Sequence, residues 1–252
     1  MKHFVAPHSI VRQIWGNGDT ILFIFAGASA EFALNKAVDW LYYTGKLPAD
    51  PLGRLFSTVA YARQIIFSEY DEAIQAIDRI TAIHKGVEQS RGAQIPDWAY
   101  RDVLFMLIDY SIRSYEVLER ELTADEKQEV FDVFYKVGYR MHLTGLPATY
   151  HHWQQMRQQH LRDNMINSHF TADLYRQYKK HLGFMRYNLL KQAQVLVVPQ
   201  KVNQMLGLNN VQWLKPIISI YKLCRLIKLQ GTLKNAILPQ QYKLQIMDLD
   251  IV

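Results

Sequence analysis

Apolar positions recur along most of the chain at intervals of three and four residues, and clean alternation is scarce, so the pattern predicts a mostly helical protein. The longest uncharged apolar run, "ILFIFAGASA" from Ile21 to Ala30, is about half the roughly 20 residues needed to cross a bilayer. It predicts a buried helix, and its small residues Ala26, Gly27, Ala28 and Ser29 allow a neighbouring group to approach the backbone closely. In "ADPLGRL", Asp50 is placed as N-cap and Pro51 at the first helical position of a helix running to about Phe67. In "SEYDEA", Ser68 stands three residues before Asp71, an approximate capping box that predicts the start of the next helix. "LTADEK" carries the same signal in full, with Thr123 and Glu126 opening a helix to about Met141. "TGLPATYHHW" interrupts the pattern at Gly145 and Pro147 and begins another helix, and "GVEQSRGAQIPD" (86–97) reads as the clearest loop.

The helix opening near Asp71 sets Ala73, Ile77, Ile80, His84 and Val87 on a single stripe, at spacings of four, three, four and three. A histidine on such a stripe is either a core residue whose ring nitrogens are satisfied or a ligand. On the preceding helix Arg54, Thr58 and Tyr61 share a face. Arg54 either pairs with a carboxylate of its neighbourhood, Asp50 or Asp71, or meets a ligand carboxylate together with the Thr58 hydroxyl.

Composition narrows the classes of function. With 252 residues, 49% of them hydrophobic, one domain spanning 1–252 buries a substantial core, and no repeat or long linker divides it. Cys224 is the single cysteine, which excludes an intramolecular disulfide framework and a thiolate-rich zinc site and points to a reducing, cytoplasmic compartment. "MKHFVAPHSIVRQIWG" lacks the apolar stretch of a secretory signal. Charge is asymmetric: residues 1–150 hold 15 Lys+Arg against 19 Asp+Glu and residues 151–252 hold 14 against 4, about −4 and about +10. No nucleic-acid-binding motif accompanies the basic part. "KPIISIYKLCRLIKLQ" (215–230) interleaves Ile, Tyr and Leu with Lys222, Arg225 and Lys228 at helical spacing. It is either an ordinary helix with a solvated basic face or a peripheral contact with a membrane. Nucleophile elbows and phosphate loops are missing from the chain. His151, Trp153 and His160 flank a helix start, with no Asp or Glu at metal-ligand spacing beside them.

Several segments together carry a resemblance. "SIVRQIWG", "ADPLGRLFSTVAYARQIIF", "AIQAIDRITAIHKGV", "DYSIRSYEVLERELTADEKQEVF", "TGLPATYHHW", "VVPQKVNQMLGL" and "AILPQQY" follow in the order and spacing of the family of latex clearing protein (rubber oxygenase) and the MpaB-type oxygenases. The most specific matches are Asp-Pro followed by Arg54 and Thr58, and the Ile-His-x-x-Val motif about 30 residues later. The resemblance implies an all-α, single-domain fold and an oxygenase that binds haem b. It makes His84 the axial iron ligand, with Arg54 and Thr58 beside the haem as cofactor-binding and catalytic residues. The implied substrate is a hydrophobic, lipid-like small molecule, for which Phe23, Phe25 and Phe32 are candidate pocket residues. The alternative is a non-catalytic helical protein that binds a lipid or a partner at a membrane surface. Where the family usually carries a His-Pro pair after its first apolar helix, this chain has "AGASAEFAL" (26–34). Where it usually carries a histidine before "DYS", this chain has "VLFMLI" (103–108). Ser57 stands where rubber oxygenases have a lysine, so the resemblance extends to the fold and the haem more than to rubber as substrate.

Overall fold

The computed structural model describes residues 2–45, 49–208 and 214–218; the side chains of residues 51, 52, 54 and 55 lie outside that description. Helices account for the architecture: α1 (Ile10–Trp15), α2 (Gly18–Phe32), α3 (Val38–Tyr43), α4 (Pro51–Phe67), α5 (Tyr70–Arg91), α6 (Asp97–Leu118), α7 (Ala124–Arg140), α8 (Tyr150–Asp163), α9 (His169–Val197) and α10 (Gln200–Leu206). Among the described residues, pairing of extended backbone is limited to two isolated bridges, His3 with Glu69 and Asn35 with Met165. The expected all-α class is therefore observed. No helix among the described residues is long and apolar enough to cross a membrane.

The most extensive helix packing is α2 against α6, and the small residues of "AGAS" explain why. Gly27 faces the ring of Tyr110 so directly that a Cβ there would overlap it. Omitting the side chain lets α6 bring a fully buried tyrosine against the α2 backbone. Around this contact lie Ile14, Trp15, Ile21, Ile24, Phe105, Met106 and Ile108, all fully buried. The indole Nε1 of Trp15 donates to Ser111 Oγ at 3.0 Å, so the largest core residue leaves no polar atom unmet. Phe25 meets Trp15 edge-on at 6.5 Å, while Phe23 and Phe32 pack against the hydrophobic clusters. All three aromatics thus serve as core packing.

The predicted start of α4 is observed: Asp50 accepts from Gly53 N at 2.9 Å and Pro51 opens the helix. So is the full capping box of α7, where Thr123 Oγ1 accepts from Glu126 N at 3.2 Å and Thr123 N donates to Glu126 Oε2 at 2.9 Å. Two boundaries differ from expectation. Ser68 does not cap α5; it closes α4, donating its N–H to Gln64 O. Glu69 takes the N-cap position of α5 because the N-terminal segment holds that corner, Tyr70 N donating to Lys2 O at 2.9 Å. The acidic first turn, Asp71 and Glu72, then meets the helix dipole in place of a side-chain cap. The second difference is that 86–97 is not one loop. The helix continues through Gly86 to Arg91 and ends at Gly92, whose left-handed backbone (φ 68°, ψ 25°) returns its N–H to Gln89 and Glu88 carbonyls. The polar composition resembles a loop, but Gln89 and Ser90 are the solvated end of a helix, and Glu88 is half-buried within it.

The last long helix, α9, is seated by two smaller clusters: Ala33, Val38, Leu174 and Tyr178 in one, Ala26, Leu118, Ala193, Leu214 and Ile218 in the other. Of the basic segment 215–230, only 215–218 are among the described residues; Lys222, Arg225 and Lys228 lie outside them.

Candidate functional site

His84 sits on the second half of α5, where the apolar stripe continues but its cover thins. Ala73 and Ile77 are buried; Ile80, His84 and Val87 are half-buried, and Ile83 beside the histidine is 49% exposed. Gly86 adds open space, with nothing near the position a Cβ would occupy. A helix that carries two isoleucines, a valine and a histidine on an incompletely covered face presents the surroundings an apolar, flat ligand needs.

The imidazole is braced from α6. Tyr100 meets the His84 ring edge-on, with centroids 5.2 Å apart and planes at 71°. The Tyr100 hydroxyl donates to Glu88 Oε1 at 3.1 Å, and the same oxygen accepts from Ile95 N at 2.9 Å. Burial and the Glu88 charge raise the Tyr100 pKa well above the usual phenol value, so the hydroxyl stays a donor. Glu88 is one turn beyond His84 on the same helix, a spacing of four visible in the chain. The polar composition of 86–97 masks it, because that stretch resembles a loop although α5 continues to Arg91. The far end of α5 is tied to α3: Arg91 pairs with Asp39 at 2.7 Å and lies 4.0 Å over Trp40, and the Tyr43 hydroxyl donates to Ser90 O at 2.7 Å.

On α4, which packs against α5, Thr58 and Tyr61 are half-buried. Arg54 stands one turn before Thr58 on the same helix, and its side chain lies outside the described residues. Of the two carboxylates weighed as its partners, Asp50 caps α4 and Asp71 is exposed on α5.

A second polar assembly occupies the interior between α2, α6 and α8. Arg157, 3% exposed, donates through both terminal nitrogens to Glu31 at 2.5 Å each and through Nε to Asp109 at 3.0 Å. Asp109 also accepts from Arg113 Nε at 2.7 Å, and Tyr110 donates to Glu31 Oε2 at 2.7 Å. Two carboxylates and two guanidinium groups therefore balance. Burial opposes the charge on Arg157, but Glu31 and Asp109 outweigh it and hold its pKa well above the usual value. Burial likewise pushes Asp109 up, and Arg157 with Arg113 bring it below the ordinary carboxylate range. This network joins Glu31 of "AGASAEFAL" to Asp109 and Tyr110 at the start of "DYS".

The histidines of α8 lie in different surroundings. His151 is exposed and bonded to Gln155 at 3.1 Å, whereas Trp153 is buried. His160 is buried, stacked on Phe105 at 5.0 Å, with Nδ1 against Asp102. Asp102 also accepts from Asn35 at 2.8 Å and Asn164 at 3.0 Å. Asp102 is distant in sequence, so spacing along the chain could not reveal it. No group of three or more His, Cys, Asp or Glu among the described residues is arranged to hold a metal ion. A haem iron needs only one protein ligand from this side, and a single imidazole on a half-covered apolar face fits that requirement.

Comparison with known families agrees with this layout. The model for "ER-bound oxygenase mpaB/B'/Rubber oxygenase, catalytic domain" matches residues 13–229, which include α4, α5 and the whole interior network. No curated protein and no solved structure matches. The all-helical fold and a match over most of the chain place this protein in the mpaB/rubber oxygenase catalytic-domain family.

Proposed function

We propose that this protein is a haem b-dependent oxygenase that oxidises a hydrophobic, lipid-like small molecule. The observation that carries the reading is His84: an imidazole on a half-covered apolar stretch of α5, braced edge-on by Tyr100, in a chain of an oxygenase family. When bound, the haem iron supplies activation of dioxygen.

The protein's own residues supply the setting. His84 would hold the haem iron through a neutral imidazole nitrogen. Tyr100 limits rotation of that ring, and Glu88 holds Tyr100 in turn by accepting its hydroxyl proton in a hydrogen bond. Ile80, Ile83 and Val87 give the apolar wall that excludes water. Arg54 and Thr58, one turn apart on α4, supply a cation and a hydroxyl for the carboxylate edge of the cofactor. Ser57, in place of a lysine, removes one charge from the same turn and favours a substrate other than rubber.

The test is optical. Protein produced with haem supplied should show a Soret band that His84→Ala abolishes while far-ultraviolet circular dichroism stays unchanged. Wild-type protein that takes up no haem, or a His84→Ala variant that keeps the band, refutes the reading and leaves the non-catalytic lipid-binding alternative.

A further inference from the structure

The longest helix, α9, is interrupted at Gly183, whose backbone (φ 72°, ψ 174°) is far from helical. The two residues after it are the most exposed apolar side chains among the described residues, Phe184 at 76% and Met185 at 75%. They are not a frayed end. Leu182 on one side and Tyr187 on the other pack against the cluster of Ala33, Val38, Leu174 and Tyr178. Asn188 Nδ2 donates to Phe184 O at 2.9 Å, fixing the first turn after the break. Gly183 has nothing near the position of a Cβ, so the break stands in open space. It serves to turn two large apolar side chains outward while their neighbours stay anchored, a conformation that L residues with a Cβ rarely adopt.

Along its own stretch of chain, the charge beside this tip has one sign. Lys179 and Lys180 are exposed one turn before the break and make no ion pair among the described residues. Lys191 follows two turns later, over the Tyr187 ring at 4.9 Å. From Leu174 to Leu208 the chain contains no Asp or Glu. The carboxylate just before that stretch, Asp173, is already engaged by Arg176 at 2.9 Å and the Tyr42 hydroxyl at 2.8 Å.

We propose that the Gly183 break is an interfacial anchor: Phe184 and Met185 insert among the headgroups of an anionic bilayer, and Lys179 and Lys180 contact the lipid phosphates and carboxylates. A bilayer is favoured over a protein partner because the exposed apolar tip consists of two side chains, far from the roughly 800 Å² per side of a stable protein interface. A second copy of the chain is disfavoured because a symmetric contact would bring two sets of lysines together. Two exposed apolar side chains flanked along the helix by lysines match a surface that takes apolar groups anywhere and carries negative charge throughout.

The test uses the full chain and cosedimentation with phosphatidylcholine vesicles, with and without phosphatidylserine. Wild-type protein should bind only the phosphatidylserine-containing vesicles, more weakly as salt rises. Phe184→Ser with Met185→Ser should weaken binding about tenfold or more. Lys179→Glu with Lys180→Glu should do the same. All four positions are exposed, so circular dichroism should report unchanged helix. Absence of wild-type binding, or binding unchanged in both double variants, overturns the proposal. So does a shift from dimer to monomer in the Phe184/Met185 variant without vesicle binding, which would identify the tip as a self-association surface. The Soret test does not depend on any of these outcomes.

Discussion

Replacing Arg157 with methionine tests whether the interior network holds the fold together. The substitution keeps much of the side-chain volume but removes three charge-assisted hydrogen bonds, two to Glu31 at 2.5 Å and one to Asp109 at 3.0 Å. Asp109 retains Arg113 at 2.7 Å, whereas Glu31, 3% exposed, keeps only the Tyr110 hydroxyl at 2.7 Å among the described residues. The cost therefore falls on one buried carboxylate without a cation. Removing one partner of a buried pair costs about 3–5 kcal/mol, a large share of the roughly 5–15 kcal/mol that stabilises a typical domain. At about 2–4 °C per kcal/mol for a chain of this size, the thermal midpoint should fall by about 10 °C. Urea unfolding followed by circular dichroism should show a lower midpoint with an unchanged slope. Adding Glu31→Gln to Arg157→Met should recover about 1–3 kcal/mol, since it removes the stranded charge. A loss below about 1 kcal/mol for Arg157→Met, or a double variant less stable than the single one, refutes this account.

Other outcomes follow from the same packing and charges. Gly27→Ala should destabilise by about 1–3 kcal/mol because its Cβ meets the Tyr110 ring, whereas Gly86→Ala, in helical backbone with open space, should stabilise by up to about 1 kcal/mol; paired urea melts distinguish the signs. Arg120 lowers the Glu126 carboxyl to about 2, and Asp109 also lies below its usual range. A depressed carboxylate contributes stability above its unfolded value and loses it as pH falls through the folded one, so stability should hold down to about pH 4.5 and decline towards pH 2. A midpoint insensitive to pH across that window contradicts both assignments. If His84 holds haem, Glu88→Ala should free Tyr100 and weaken haem retention about tenfold, measured by haem transfer to apomyoglobin, with helix content intact.

Local signals in the chain settled a good deal. Asp50-Pro51 and the Thr123/Glu126 box mark true helix starts, because a cap bond spans only three residues and needs no tertiary partner. The small residues of α2 announced a close approach, although not that Tyr110 makes it. The stripe carrying His84 was equally plain, since the 3.6-residue repeat maps directly onto a helix face.

Where an element meets something distant, the local reading ran out. Ser68 resembled a cap, but Lys2 holds the corner at Tyr70 and moves the boundary to Glu69. Glu88 lies in a polar stretch that resembles a loop although its helix continues, and its role with Tyr100 depends on α6 lying alongside. Residues of the Glu31–Arg157–Asp109 network are separated by up to 126 positions, so no spacing rule reaches them. The sequence by itself determined the helical class, the principal helix starts and a histidine on an apolar stripe. Those depend on bonds and side-chain periods within a few residues. Tertiary structure alone decided that this stripe is left half-covered, that Tyr100 braces its histidine, and that Arg157 of the basic part meets Glu31 and Asp109 of the acidic part in the interior. Burial and electrostatic pairing are properties of neighbours in space, set only when the helices pack.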